Sequence, residues 1–203
     1  MSFNDIADRL LDGFDVVTLG KRLMPPDIEF RESKQGAKEN NLSWLHVRFA
    51  VKDAWYRRQT IERAHIRCHI KEEENNPFTG NAAFGMGRDP IDEIRDLRWQ
   101  SLDNVQGTSN ITLESGRPAF VPVVRRSEPK ENEPPLCILT DQSYLMGQPE
   151  ENWVKLPPGL YSIDFFIKAQ NKEWKSPMYV LQVPSDECNN GQFILEKYYA
   201  DEV

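Results

Sequence analysis

Three histidines lie close together along this chain, His46, His65 and His69, and Cys68 stands between the last two. Imidazoles ligate zinc and act as general bases, and a thiol beside one can become a nucleophile. Each of these chemistries needs its groups on one surface. Trp44, His46, Arg48 and Ala50 alternate with Leu45, Val47, Phe49 and Val51, while His65, Arg67, His69 and Lys71 alternate with Ile66, Cys68 and Ile70. Both runs read as half-buried antiparallel strands, 44–53 and 62–72, joined through residues 53–60. Paired as a hairpin, they put His46 on one sheet face with His65 and His69. The latter two are then about 13 Å apart at a strand rise of about 3.3 Å, too far for one ion with bonds of about 2 Å. His46 with one of them is the remaining metal candidate, and a metal-dependent hydrolase built on it is the remotest functional alternative. Cys68 falls on the opposite face from its neighbouring histidines, which removes a thiol–imidazole pair. Ser109 and Ser115 lack a GxSxG elbow. The sequence therefore predicts no catalytic residue, no cofactor and no enzyme.

Other side chains are suited to binding. In the run Gly80 to Pro90 the glycines permit positive φ, and Arg88 can meet a phosphate or carboxylate. The run lacks the Lys-Ser/Thr ending of a phosphate-binding P-loop. Phe84 and Met86, exposed on such a loop, are candidate partner contacts together with Arg88. Trp44 and Trp174 are candidate stacking faces for a carbohydrate or other small ligand. The acidic runs Glu72 to Glu74 and Asp92-Glu93 read as solvated faces.

Apolar periodicity outlines the elements that must hold these groups. The periodicity predicts a helical arm over residues 1–24, since Phe3, Ile6, Leu10, Leu11 and Phe14 recur at helical steps and Pro25-Pro26 end the run. Leu10 and Phe14 would face a partner, a second copy or this chain's own sandwich. Asp5, Asp8, Asp12 and Asp15 make the arm's polar face acidic, which disfavours a membrane surface. Residues 25–43 hold a first strand and a polar linker, 44–184 a β-sandwich, and 185–203 a last strand and an acidic tail. Further strands are expected at 110–113, 119–126, 136–140, 160–169, 178–183 and 192–199, giving a sandwich of about seven to nine strands. Pro122 marks its strand as an edge or a bulge. The polar stretches 33–41, 71–89 and 127–135 read as long loops.

Bulk composition sets outer limits. A hydrophobic fraction of 39% in 203 residues suffices for a packed core. A formal net charge of −7 opposes a general nucleic-acid surface, because such affinity comes from lysine and arginine displacing counterions. No run reaches the roughly 20 apolar residues of a membrane span, and the N-terminus lacks the pattern of a signal peptide. Cys68, Cys137 and Cys188 have no CxxC spacing and read as free thiols. A cytoplasmic location follows as an expectation.

Three blocks together resemble a group of prokaryotic immunoglobulin-like β-sandwich proteins with no agreed activity. They are Trp44 to Asp53 with Ala64 to Ile70; Leu97 to Trp99 with Ile111 to Gly116 and Ala119 to Arg126; and Leu156 to Ile163 with Tyr179 to Val183. The likeness spans about 44–183 and implies an immunoglobulin-like sandwich, with no catalytic residues to transfer. Members of that group often follow membrane spans, and this chain departs from them in having none. The function expected is a non-catalytic protein-interaction or scaffold module, binding a partner or itself; the alternative is a small-ligand or carbohydrate binder.

Overall fold

Period-two alternation governs this chain, and the computed structural model shows it in space. It describes residues 27–32, 43–52, 59–73, 89–100, 106–126, 136–183 and 193–197. In chain order the strands are β1 (Ile28–Glu32), β2 (Ser43–Val51), β3 (Thr60–Glu72), β4 (Asp92–Asp96), β5 (Asn110–Glu114), β6 (Ala119–Arg126) and β7 (Cys137–Leu139). A short helix α1 (Gln142–Leu145) and a 3-10 turn (Glu150–Asn152) precede β8 (Gly159–Ala169), β9 (Lys172–Lys175), β10 (Tyr179–Val183) and β11 (Ile194–Lys197). Every pairing between these strands is antiparallel. One sheet has the order β1-β2-β6-β7; the other runs β11-β10-β8-β3-β4, with β5 also on β3 and β9 also on β8.

The long strands β3 and β8 form the spine of the larger sheet. They pair from His65↔Lys168 to Glu72↔Tyr161 and turn Ile66, Cys68, Ile70, Ile163, Phe165 and Ile167 inward, all fully buried. The smaller sheet answers with Leu45, Val47, Phe49 and Val51 from β2 and Val121, Val123 and Val124 from β6. Phe49 joins the two layers. Its ring meets Phe165 edge-on at 5.7 Å and Trp99 at 5.5 Å, the offset geometry that aromatic quadrupoles favour. Trp99 also places its indole N–H on the Ala64 carbonyl at 2.8 Å, which satisfies the one polar atom that it buries.

Two expectations need correction. The strand 44–53 does not form a hairpin with 62–72: β2 pairs with β1 and β6, and β3 with β8, β4 and β5, so the two lie in different sheets. Each turns one largely apolar face inward, and stacking those faces across the core buries more than a shared sheet plane could. The described residues also contain eleven strands rather than seven to nine, because β4 and β9 are too charged to betray themselves by apolar alternation. Pro122 does mark a bulge, at the register shift opposite Leu45/His46, although β6 lies between β2 and β7. The bulge turns both Val123 and Val124 inward. The expected helical arm over 1–24 lies outside the described residues.

Gly107 sets the approach of the Trp99 segment. Its φ is +68°, and a Cβ there would stand 2.5 Å from the Trp99 carbonyl oxygen. Gly116 has a similar φ of +77° but open space around it. Gly116→Ala is expected to cost about 1–2 kcal/mol, the strain of a left-handed residue alone, and Gly107→Ala distinctly more. Urea unfolding of the two variants checks this, and equal losses would contradict the close approach.

Candidate functional site

The separation of β2 from β3 decides the histidine question. His46 stands on the outer face of the smaller sheet, opposite Pro122, whereas His65 and His69 stand on the outer face of the larger one. The two outer faces are divided by the core, so no common ion can be held. Among the described residues no group of three His, Cys, Asp or Glu side chains could bind a metal. His65 Nε2 instead meets Asp96 Oδ1 at 2.9 Å, and His69 Nε2 meets Asp92 Oδ1 at 2.7 Å. The signal for these pairs was present: two histidines four apart on one strand face two aspartates four apart on the next. Reading Asp92-Glu93 as a solvated run hid it.

Cys68 is equally removed from chemistry. It is fully buried, and burial, reinforced by the Asp141 carboxylate, pushes its thiol far above the ordinary range, so no thiolate forms at neutral pH. Cys137 is also buried.

On the outer face of the smaller sheet a different set of groups converges. Trp44 on β2 lies directly across from Arg125 on β6. The Arg125 guanidinium sits 5.0 Å from the Trp44 ring centre and 5.7 Å from that of Tyr144 on α1. Its Nη1 also donates to the Tyr144 hydroxyl. Tyr144 in turn meets Trp153 edge-on at 5.0 Å, and the Trp153 indole N–H donates to the Gln148 carbonyl at 2.9 Å. At the other end the His46 ring stacks on Trp44 with centres 6.0 Å apart. The result is a ladder, His46–Trp44–Arg125–Tyr144–Trp153, in which a cation lies against aromatic faces.

Asp141 holds this ladder in place. Its buried carboxylate caps α1 by accepting from the Tyr144 backbone N–H at 2.9 Å, which fixes where the Tyr144 ring emerges. Burial raises its pKa above the usual carboxylate range, while the cap and nearby Arg95 at 3.8 Å favour the charged form. Arg48 and Arg125 both bury their Nε atoms without a hydrogen-bond partner. Of the ladder, Trp44 is the stacking candidate and His46 the metal candidate that the sequence offers. Arg125, Tyr144 and Trp153 come together because α1 folds back over β6, which no local pattern announces.

Trp174 does not supply a stacking face: it is only 8% exposed, packed into the core edge of β9 with the Lys172 ammonium 4.7 Å from its ring centre. The inward phase of β9 puts it there. Phe84, Met86, Arg88, Leu10 and Phe14 lie outside the described residues. No helix among the described residues is long and apolar enough to cross a membrane. Comparison with protein-family models, curated proteins and solved structures finds no match to this chain.

Burial lowers the pKa of His46 below its ordinary 6.5, so its ring stacks as a neutral imidazole. A folded pKa below the unfolded one means that protons favour the unfolded chain. The contribution is whole above about pH 6.5 and is lost as pH falls through the folded value. The unfolding free energy should therefore fall more steeply between pH 7 and 5 in the parent than in His46→Gln. Parallel curves from urea titrations at each pH would contradict the burial of this ring.

Proposed function

We propose that this chain is a non-catalytic interaction module of immunoglobulin-like build, and that it grips a protein partner through the aromatic–arginine ladder on its smaller sheet. The observation that carries the reading is the clamp on Arg125. A guanidinium already held between Trp44 and Tyr144 loses little freedom when it meets a partner's carboxylate. Tryptophan, tyrosine and arginine are also the residues that dominate binding energy at protein interfaces. Buried polar groups are nearly always paired, so the unmet Nε donors of Arg48 and Arg125 suggest a face shaped for something other than stability. Phe120, 38% exposed and directly across from Arg48, extends the patch with apolar surface.

The immunoglobulin-like assignment belongs to the same reading. It is supported by two facing antiparallel sheets and by a chain that crosses between them after β2, β5 and β7. Leu10 and Phe14, in the helical arm expected over 1–24, and Phe84, Met86 and Arg88 are secondary contact candidates. A second copy of the chain is one possible occupant of the ladder. A buried free thiol at Cys68 suits a reducing cytoplasm. A carbohydrate platform is less well supported: Trp174 is buried, and the Trp44 ring is already met by the His46 imidazole and the Arg125 guanidinium.

Replacing Trp44 and Arg125 together by alanine tests the reading. Sedimentation velocity follows self-association, and affinity capture with quantitative mass spectrometry follows a foreign partner. The parent should form a stoichiometric complex that the double variant weakens at least tenfold, with a melting temperature within a few degrees. A variant that retains the complex in full, or a parent that forms none, would overturn it.

A further inference from the structure

Arginines are handled differently on the two sheets. On the larger one Arg67 holds Glu173 at 3.0 Å, and Arg95 holds Glu93. At the turn from β5 to β6 Arg117 holds Glu114 at 3.2 Å, and Arg98 donates to the Gln106 and Gly107 carbonyls. On the outer face of the smaller sheet neither Arg48 nor Arg125 meets a carboxylate among the described residues, and each buries its Nε without an acceptor. Both residues are half-buried, a setting in which a charge without a counter-charge is costly. The chain has 32 acidic residues against 25 lysines and arginines, so carboxylates are not scarce. Two unmatched guanidiniums on one face make a place for an incoming anion.

The two stand at a defined spacing. Arg125 lies in the row of Trp44 and Arg48 in the row of Phe120, with His46 and Pro122 between them. From Trp44 to Arg48 the rows are about 13 Å apart, at a strand rise of about 3.3 Å. An extended segment laid along β2 has the same rise. Side chains four residues apart on it fall on one face at that same separation, so one such pair can meet both guanidiniums.

We propose that the ladder face recognises an extended acidic segment of a protein partner, with one carboxylate on Arg125 and a second, four residues along, on Arg48. This selectivity rests on the ladder being the binding surface, as proposed above, and names what that surface selects. Phe120, exposed across from Arg48, gives the segment apolar contact at the second anchor. Single-stranded nucleic acid is the competing polyanion. It needs open ring faces for its bases, whereas the Trp44 ring is already met by His46 and Arg125. Its run of phosphates would also face a chain of net charge −7, which a short acidic segment meets far less.

Nuclear magnetic resonance titration of the isotope-labelled full chain with capped peptides tests this, read at the Trp44 indole and the arginine Nε signals. Glu-Thr-Val-Thr-Glu should shift Trp44, Arg125 and Arg48 and bind at least tenfold more tightly than Gln-Thr-Val-Thr-Gln. It should also bind at least threefold more tightly than Thr-Glu-Val-Glu-Thr, which has the same composition with its glutamates only two apart. Arg48→Gln should remove that second preference, whereas Arg67→Gln on the larger sheet should leave both intact. Should Arg48→Gln fail to fold, Glu-Thr-Val-Thr-Gln makes the comparison from the ligand's side and should bind the parent at least threefold more weakly than the doubly acidic peptide. Equal affinity for the wide and the close pair, no binding at several millimolar, or tighter binding of oligothymidylate would overturn the proposal. If the Trp44 and Arg125 double variant loses its complex while the peptides are not told apart, only the acidic spacing falls. If there is neither a complex nor a peptide shift, the ladder falls with it.

Discussion

The pairing of β3 with β8 is the constraint from which the rest follows. These are the two longest strands, 13 and 11 residues, and their shared register runs without a break from His65 to Glu72. Each flanks its far edge with two short strands, β4 and β5 on one side and β9 and β10 on the other. A slip of one residue would exchange Ile66, Cys68 and Ile70 for Arg67, His69 and Lys71 on the core face. Burying those charges would cost far more than the net stability of a domain. The register is thus held by solvation as much as by hydrogen bonds, and it sends the histidines and Cys68 to opposite faces. Layering over the smaller sheet then follows, with Phe49 as the ring that reaches Phe165 and Trp99 across the core.

This geometry keeps apart the groups that most resemble a catalytic set. Cys68 is sealed in the core, where a thiolate is too costly to form. His65 and His69 are engaged by Asp96 and Asp92 on the neighbouring strand, a cross-strand ladder that lends β4 its hold on the sheet. What the smaller sheet displays outward is of another kind, an arginine between aromatic rings. Residues of these types are enriched at protein interfaces, which is the ground for the binding role proposed above.

The strands with strong alternation were legible in the sequence, and β2, β3, β6 and β8 lie where their apolar residues placed them. The strands β4 and β9 were not, because Asp92–Asp96 and Lys172–Lys175 are mostly charged and are strands only through their neighbours. Sheet membership was also beyond local pattern. An apolar face says that a strand is half-buried, but not whether its sequence neighbour lies beside it or across the core. The hairpin inferred for 44–53 and 62–72 failed on that point, and the shared histidine face went with it. Trp44 was named as a stacking candidate by type alone. Arg125, Tyr144 and Trp153, its companions, depend on a tertiary turn at Asp141 that spacing does not reveal.

The account rests on β3 having β8, and not β2, as its neighbour. Nuclear Overhauser contacts between backbone protons of an isotope-labelled sample test this most directly. Cross-strand contacts are predicted between the segments around Cys68 and Phe165 and between those around Trp44 and Arg125, with none between β2 and β3. Backbone contacts from the His46 strand to the His69 strand would contradict the account, restoring a single sheet and a single histidine face.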